Sequence, residues 1–125
     1  PRVSLCWSSY PAFCDLDGRR ARRTPGWPVA GSAFLNDNPD VFAWIMQRTL
    51  GYFDCAFFAA RIRCETYVST GFLDTVCSPS SVFAAYNSLP PDVVKAISTE
   101  PRGGHSAANV EGDRRIREIG LRLNP

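Results

Sequence analysis

The chain has 125 residues, with 14 Lys and Arg, 12 Asp and Glu, a formal net charge of +2, five Cys and one His, the size of one small domain. Its 45% hydrophobic and 21% charged content excludes a disordered chain, and no stretch reaches the ~20 apolar residues of a bilayer span. A net charge of +2 is too small to imply a nucleic-acid or membrane partner by itself, and neither is expected.

Taken in chain order, residues 3–7 are a short apolar run that reads as a buried strand, ending in Ser8-Ser9-Tyr10-Pro11. Residues 11–38 are irregular and rich in Gly and Pro, and a loop of that length in a small domain is often functional. It carries four arginines in Gly18-Arg19-Arg20-Ala21-Arg22-Arg23. The aromatics beside them do not interleave as a nucleic-acid stacking platform would, so the run reads as a solvated loop. Asn38-Pro39-Asp40 is a helix start, with a cap, a proline at the first position and an acid near the positive helix end. Val41, Trp44 and Ile45 recur at helical spacing, and Gly51 is the expected stop.

Residues 52–60 read as helical or turn-like. Residues 64–69 have the β-branched and aromatic content of a strand. Ser78-Pro79 opens a second helix running through Phe83, Ala84 and Tyr86 to about Ser88, and Pro90-Pro91 ends it. Residues 93–98 form the next strand. Gly103-Gly104-His105 is a loop, and a last helix over about 113–123 places Ile116, Ile119 and Leu123 along one face. Strands alternating with helices imply an α/β fold with a mostly parallel sheet flanked by helices.

The cysteines are Cys6, Cys14, Cys55, Cys64 and Cys77, an odd number without C-x-x-C spacing. With a single His available, no metal site is expected. Three of them sit in apolar runs as buried free thiols do, which favours a reduced, cytoplasmic setting. The opening Pro1-Arg2-Val3-Ser4-Leu5 lacks the charged-then-apolar pattern of a leader and is not expected to be a signal peptide.

In parallel α/β sheets, ligands bind beyond the carboxyl ends of the strands. Asp74 falls there after one strand and His105 after the next, behind two glycines. An acid and then a His on consecutive strands is the second half of the order Ser…Asp…His of α/β-hydrolases. The carboxylate would fix the imidazole tautomer, and the other ring nitrogen would take a proton from a nucleophile. Each residue also has a plainer reading, Asp74 as a turn former or helix cap and His105 as part of an exposed turn. The nucleophile is missing. No Gly-x-Ser-x-Gly elbow exists, Ser8, Ser9, Ser69 and Ser106 lack its setting, and Cys77 lies too close in sequence to Asp74.

The run Ala59-Ala60-Arg61-Ile62-Arg63-Cys64 resembles a strand entry of the acetyl xylan esterase and cephalosporin-C deacetylase family, carbohydrate esterase family seven. So does the longer run Val68-Ser69-Thr70-Gly71-Phe72-Leu73-Asp74-Thr75-Val76-Cys77-Ser78-Pro79-Ser80-Ser81-Val82-Phe83-Ala84-Ala85-Tyr86-Asn87. Pro11-Ala12-Phe13-Cys14-Asp15 and Pro1-Arg2-Val3 are similar to two upstream family segments. The resemblance implies residues 1–125 as the C-terminal portion of one α/β-hydrolase domain, with Asp74 the triad acid and His105 the triad base. It puts the serine and the oxyanion-hole residues before Pro1. Departures are Glu65 for a proline, Ser78 for a proline, Phe72 for an aliphatic residue and Ser106 for an acidic one.

The expected activity is therefore that of a serine carboxylic-ester hydrolase acting on acetylated sugars or small acetyl esters. The resemblance also implies no cofactor and a homo-oligomer, and the 125 residues alone are expected to be inactive. Two alternatives stand beside it: a peptidase-like hydrolase on the same scaffold, and a truncated interaction module without activity.

Overall fold

Parallel strands cannot be joined by a tight turn, so each needs a crossover of a dozen or more residues. This chain supplies one after each of its first two strands. The computed structural model describes residues 2–18, 37–106 and 108–123. Strand β1 (Leu5–Ser9), β2 (Glu65–Gly71) and β3 (Lys95–Glu100) form a sheet in the order β1-β2-β3. Both pairings are parallel, with Leu5 opposite Glu65 and Ser9 opposite Ser69, then Thr66 opposite Lys95 and Gly71 opposite Glu100. Between β1 and β2 lie α1 (Pro39–Arg48), a 3-10 turn (Leu50–Phe53) and α2 (Cys55–Ala59). Helix α3 (Pro79–Ser88) joins β2 to β3, and α4 (Val110–Leu123) follows β3. The arginine run at 19–23 and most of the Gly- and Pro-rich loop lie outside the described residues.

The element order matches the order read from the sequence, but the boundaries move. Each strand sits two residues later at its carboxyl end than expected, because backbone pairing, not apolarity, sets where a ladder stops. Ser8 and Ser9 are polar yet remain paired with Val68 and Ser69. Gly51 does not end α1. The helix stops at Arg48, where the Thr49 N–H still donates to the Ile45 carbonyl at 2.8 Å, and Gly51 lies within the 3-10 turn. Helix α4 begins three residues before the expected Asp113, capped by Asn109. The Asn109 Oδ1 accepts the Gly112 N–H at 3.1 Å, and its carbonyl accepts the Asp113 N–H at 2.8 Å. The added turn includes Gly112. Trp7 makes it necessary, for a Cβ there would meet the indole at 2.2 Å.

Side chains alternate across β2, so its two faces pack differently. Val68 joins Cys77 and Val82 in a core beneath α3, and Cys14, Ala59, Ala85 and Leu89 form a second cluster nearby. Burying an apolar side chain of this size stabilises the fold by about 1.5–3 kcal/mol. On the opposite face, Glu65 takes both ends of the Arg115 guanidinium of α4 at 2.8 Å each, and the Tyr67 hydroxyl donates to the same carboxylate at 2.6 Å. Lys95, the single lysine, closes α3: its Nζ donates to the Leu89 carbonyl at 2.9 Å, where the helix dipole favours a cation. Among the described residues no helix is long and apolar enough to cross a membrane.

Candidate active site

All three strands run in one direction, so their carboxyl ends open onto a single edge. The segment after β1 brings Tyr10 there, the loop after β2 brings Asp74, and the loop after β3 brings His105. The last two loops are tied together. Phe72 N–H donates to the Glu100 carbonyl at 3.0 Å, and Leu73 N–H donates to the Gly103 carbonyl at 2.9 Å. Gly71 allows this approach, since a Cβ there would lie 2.2 Å from the Gly103 carbonyl oxygen and 2.3 Å from that of Gly104.

The Asp74 side chain is fully buried and its two oxygens have separate tasks. Oδ1 accepts the backbone N–H groups of Val76 at 2.8 Å and Cys77 at 2.9 Å, which builds the turn into α3. Oδ2 lies 2.8 Å from Nδ1 of His105. A carboxylate oxygen can only accept, so Nδ1 carries the proton and Nε2 is left as the basic nitrogen. The His105 side chain remains 46% exposed and that of Asp74 is 0% exposed. The imidazole therefore faces solvent while the carboxylate does not. The Tyr10 ring packs against the imidazole with centroids 4.8 Å apart and planes tilted by 41°. Tyr10 adopts φ 50°, and its N–H donates to the Ser69 carbonyl at 3.1 Å.

The structure thus joins the two residues singled out in the sequence, and the plainer readings hold alongside: Asp74 also forms a turn, and His105 also sits in an exposed loop. Cys77 is buried with Val68 and Val82. Burial, and then the neighbouring Asp74 charge, pushes its thiol up, away from a nucleophile's needs. Ser69 is fully buried within β2. Ser106 is exposed beside His105, and Ser8 and Ser9 end β1.

Three supporting groups were not visible in the sequence. Asp54 is buried and accepts the N–H groups of Asp15 at 3.0 Å, Leu16 at 2.8 Å and Ala56 at 2.9 Å, capping α2 and clamping the segment after β1. Asn109 Nδ2 donates to the carbonyls of Ser8 at 3.3 Å and Tyr67 at 3.1 Å, fastening α4 to two strands. Glu65 is the third. Only a proline departure marked it, and its partner Arg115 lies 50 residues away.

A parallel sheet flanked by helices, with an acid and a His on consecutive loops at its carboxyl edge, defines the α/β-hydrolase class. Residues 33–118 match the acetyl xylan esterase (AXE1) family, and the chain belongs to it. It is 32% identical over 87 residues to the acetyl esterase Axe7A of Xylanibacter ruminicola, covering 70% of this chain and 19% of that protein. Among solved structures it is similar to the acetyl xylan esterase from Paenibacillus sp. R4, with TM-score 0.74 and 26% identity over 96% of this chain and 38% of that one. It is similar also to acetyl xylan esterase 1 from Thermoanaerobacterium sp. JW/SL YS485, with TM-score 0.63 and 29% identity over all of this chain and 39% of that one. The chain thus spans well under half the length of each.

Proposed function

We propose that the protein is a carbohydrate acetyl esterase, a serine hydrolase in which His105 is the general base and Asp74 the residue that orients it. The observation that carries this reading is the 2.8 Å contact between His105 Nδ1 and the buried Asp74 carboxylate, in a chain of the acetyl xylan esterase family. On this reading residues 1–125 are the C-terminal portion of one α/β-hydrolase domain, and the serine and oxyanion donors are supplied by chain outside them. The serine oxygen attacks the acetyl carbonyl while His105 Nε2 takes its proton. The imidazolium, held by Asp74, returns that proton to the departing sugar oxygen. Water then releases acetate from the acyl-enzyme by the same steps. Phe72, Leu73 and Val76 leave an exposed apolar rim beside Asp74, suited to the carbon face of a sugar ring. The family implies an acetylated xylo-oligosaccharide as substrate and a homo-oligomeric enzyme.

The test is hydrolysis of acetylated xylan, a short acetyl ester and a peptide by the complete protein. Acetyl-ester cleavage is expected, with His105→Ala lowering kcat by on the order of 10⁴-fold or more. Near-normal activity in that variant would remove His105 from the mechanism, and preferential peptide cleavage would move the enzyme to the peptidase-like alternative.

A further inference from the structure

All five cysteines are free thiols, and two of them are bracketed against each other by backbone. Cys14 lies in the segment after β1 and Cys55 opens α2. The Cys55 N–H donates to the carbonyl of Phe13 at 2.8 Å, one residue before Cys14. On the other side, the Asp54 carboxylate holds the N–H groups of Asp15 and Leu16, the residues just after Cys14. Phe13 at φ 55° and Asp15 at φ 54° are both left-handed, an uncommon state for side chains with a Cβ. They turn Cys14 inward, where its thiol donates to the Ala12 carbonyl at 3.3 Å. Cys14 is buried, Cys55 is half-buried, and both line one cavity of about 260 Å³ between the sheet and helices α2 and α3. Cys55 also packs against the apolar cluster that contains Cys14.

We propose that Cys14 and Cys55 are an oxidation site, a thiol pair that exchanges with a small-molecule disulfide to form a covalent staple between the segment after β1 and helix α2. The Cys55 thiolate, the more exposed, attacks one sulfur of the reagent. The reagent's S–S bond breaks, and one half leaves as a thiolate that takes up a proton. The Cys14 thiolate then attacks the Cys55 sulfur, expelling the second half in the same way. Two protein thiols and one disulfide become one protein disulfide and two small thiols. Burial, followed by the neighbouring Cys55 and Asp54, pushes the Cys14 thiol up to about 12, so this second step is slow at neutral pH and quickens in alkali. A thiol of high pKa is also a poor leaving group, so the bond resists reduction once made. The stapled segment begins at Tyr10, whose ring rests on His105. Oxidation therefore fixes one wall of the candidate active site, whether or not that site is an esterase.

The experiment treats the folded complete protein with hydroxyethyl disulfide at pH 8.5, blocks residual thiols and identifies linked peptides by mass spectrometry, with a urea-unfolded sample as control. A dominant Cys14–Cys55 link is expected in the folded sample alone. It should be absent from Cys55→Ala and from Cys14→Ser, and accompanied by a rise in Tm of roughly 5–15 °C. A dominant Cys6–Cys64 link, a stable mixed disulfide on Cys55, or five unmodified thiols in this chain would each overturn the proposal. Cys55→Ala alters a half-buried helix position and is expected to keep the wild-type circular-dichroism spectrum, so that loss of the link in it reports on the pair itself.

Discussion

At the scale of single residues, Asp74 decides both a turn and a tautomer, and the two tasks can be separated chemically. Asn in its place keeps an Oδ1 for the Val76 and Cys77 N–H groups but offers His105 a donor where it had an acceptor. Asp74→Asn is therefore expected to leave stability nearly unchanged, force the proton onto Nε2, and lower kcat by about 10⁴-fold. Nitrogen NMR of labelled histidine reads the tautomer directly, and an unchanged Nδ1–H form would contradict the assignment. Asp74→Ala removes the turn as well and should cost about 1–3 kcal/mol in denaturant unfolding. This residue was legible because an acid in a loop after a strand carries its meaning locally. The second role of the same carboxylate, the turn, was legible too, and neither reading displaced the other.

At the scale of elements, local signals placed most of the secondary structure and long-range ones corrected it. Asn38-Pro39 and Ser78-Pro79 open helices as expected, through the proline in the first turn and not through a side-chain cap bond, which neither Asn38 nor Ser78 makes. Helix α4 starts at Val110, three residues before the expected Asp113, because Gly112 is fitted against Trp7, a contact no local signal shows. Asp54 caps α2 locally through the Ala56 N–H, but its clamp on the segment after β1 is long-range, with partners 38 and 39 residues earlier. The seam between the loops after β2 and β3 gives a sharp prediction. A methyl group at Gly71 would strike backbone carbonyls on the His105 loop, which cannot rotate away as a flexible side chain can. Gly71→Ala is expected to destabilise the protein by about 1–3 kcal/mol. It should lower kcat more than KM rises, because the imidazole moves and not the rest of the surface. Wild-type kinetics in that variant would mean the two loops are not coupled.

At the scale of the whole molecule, the ties that close the fold join residues far apart in the chain. The Glu65–Arg115 pair couples the start of β2 to α4 across 50 positions, with Tyr67 as a third partner. The Arg115 hydrogen bonds, then that from Tyr67, hold the Glu65 carboxyl below its ordinary 4.5. A lowered value in the folded state means that the pair's stabilisation is fully present above pH 4.5. It is lost as the pH falls through the depressed value. Glu65→Gln is accordingly expected to weaken the protein at neutral pH and to flatten its loss of stability below pH 4.5, as measured by urea unfolding across that range. A variant as acid-sensitive as the wild type would assign that sensitivity elsewhere. The α/β class and the Asp74–His105 pair were open to a reader of the sequence because strand order and loop position are one-dimensional facts. A bidentate pair between a strand and a distant helix is not, and nothing near Glu65 announces Arg115.

The seam between the two loops has a mechanical consequence. Asp74 and His105 are mounted on segments that follow different strands but are bonded to each other, so the 2.8 Å contact between them depends on the register of β3 against β2 and is braced by the backbone bonds of the seam. A shift in that register would be felt at the contact itself, so the stiffness of the β2–β3 pairing sets how steadily the carboxylate holds the imidazole.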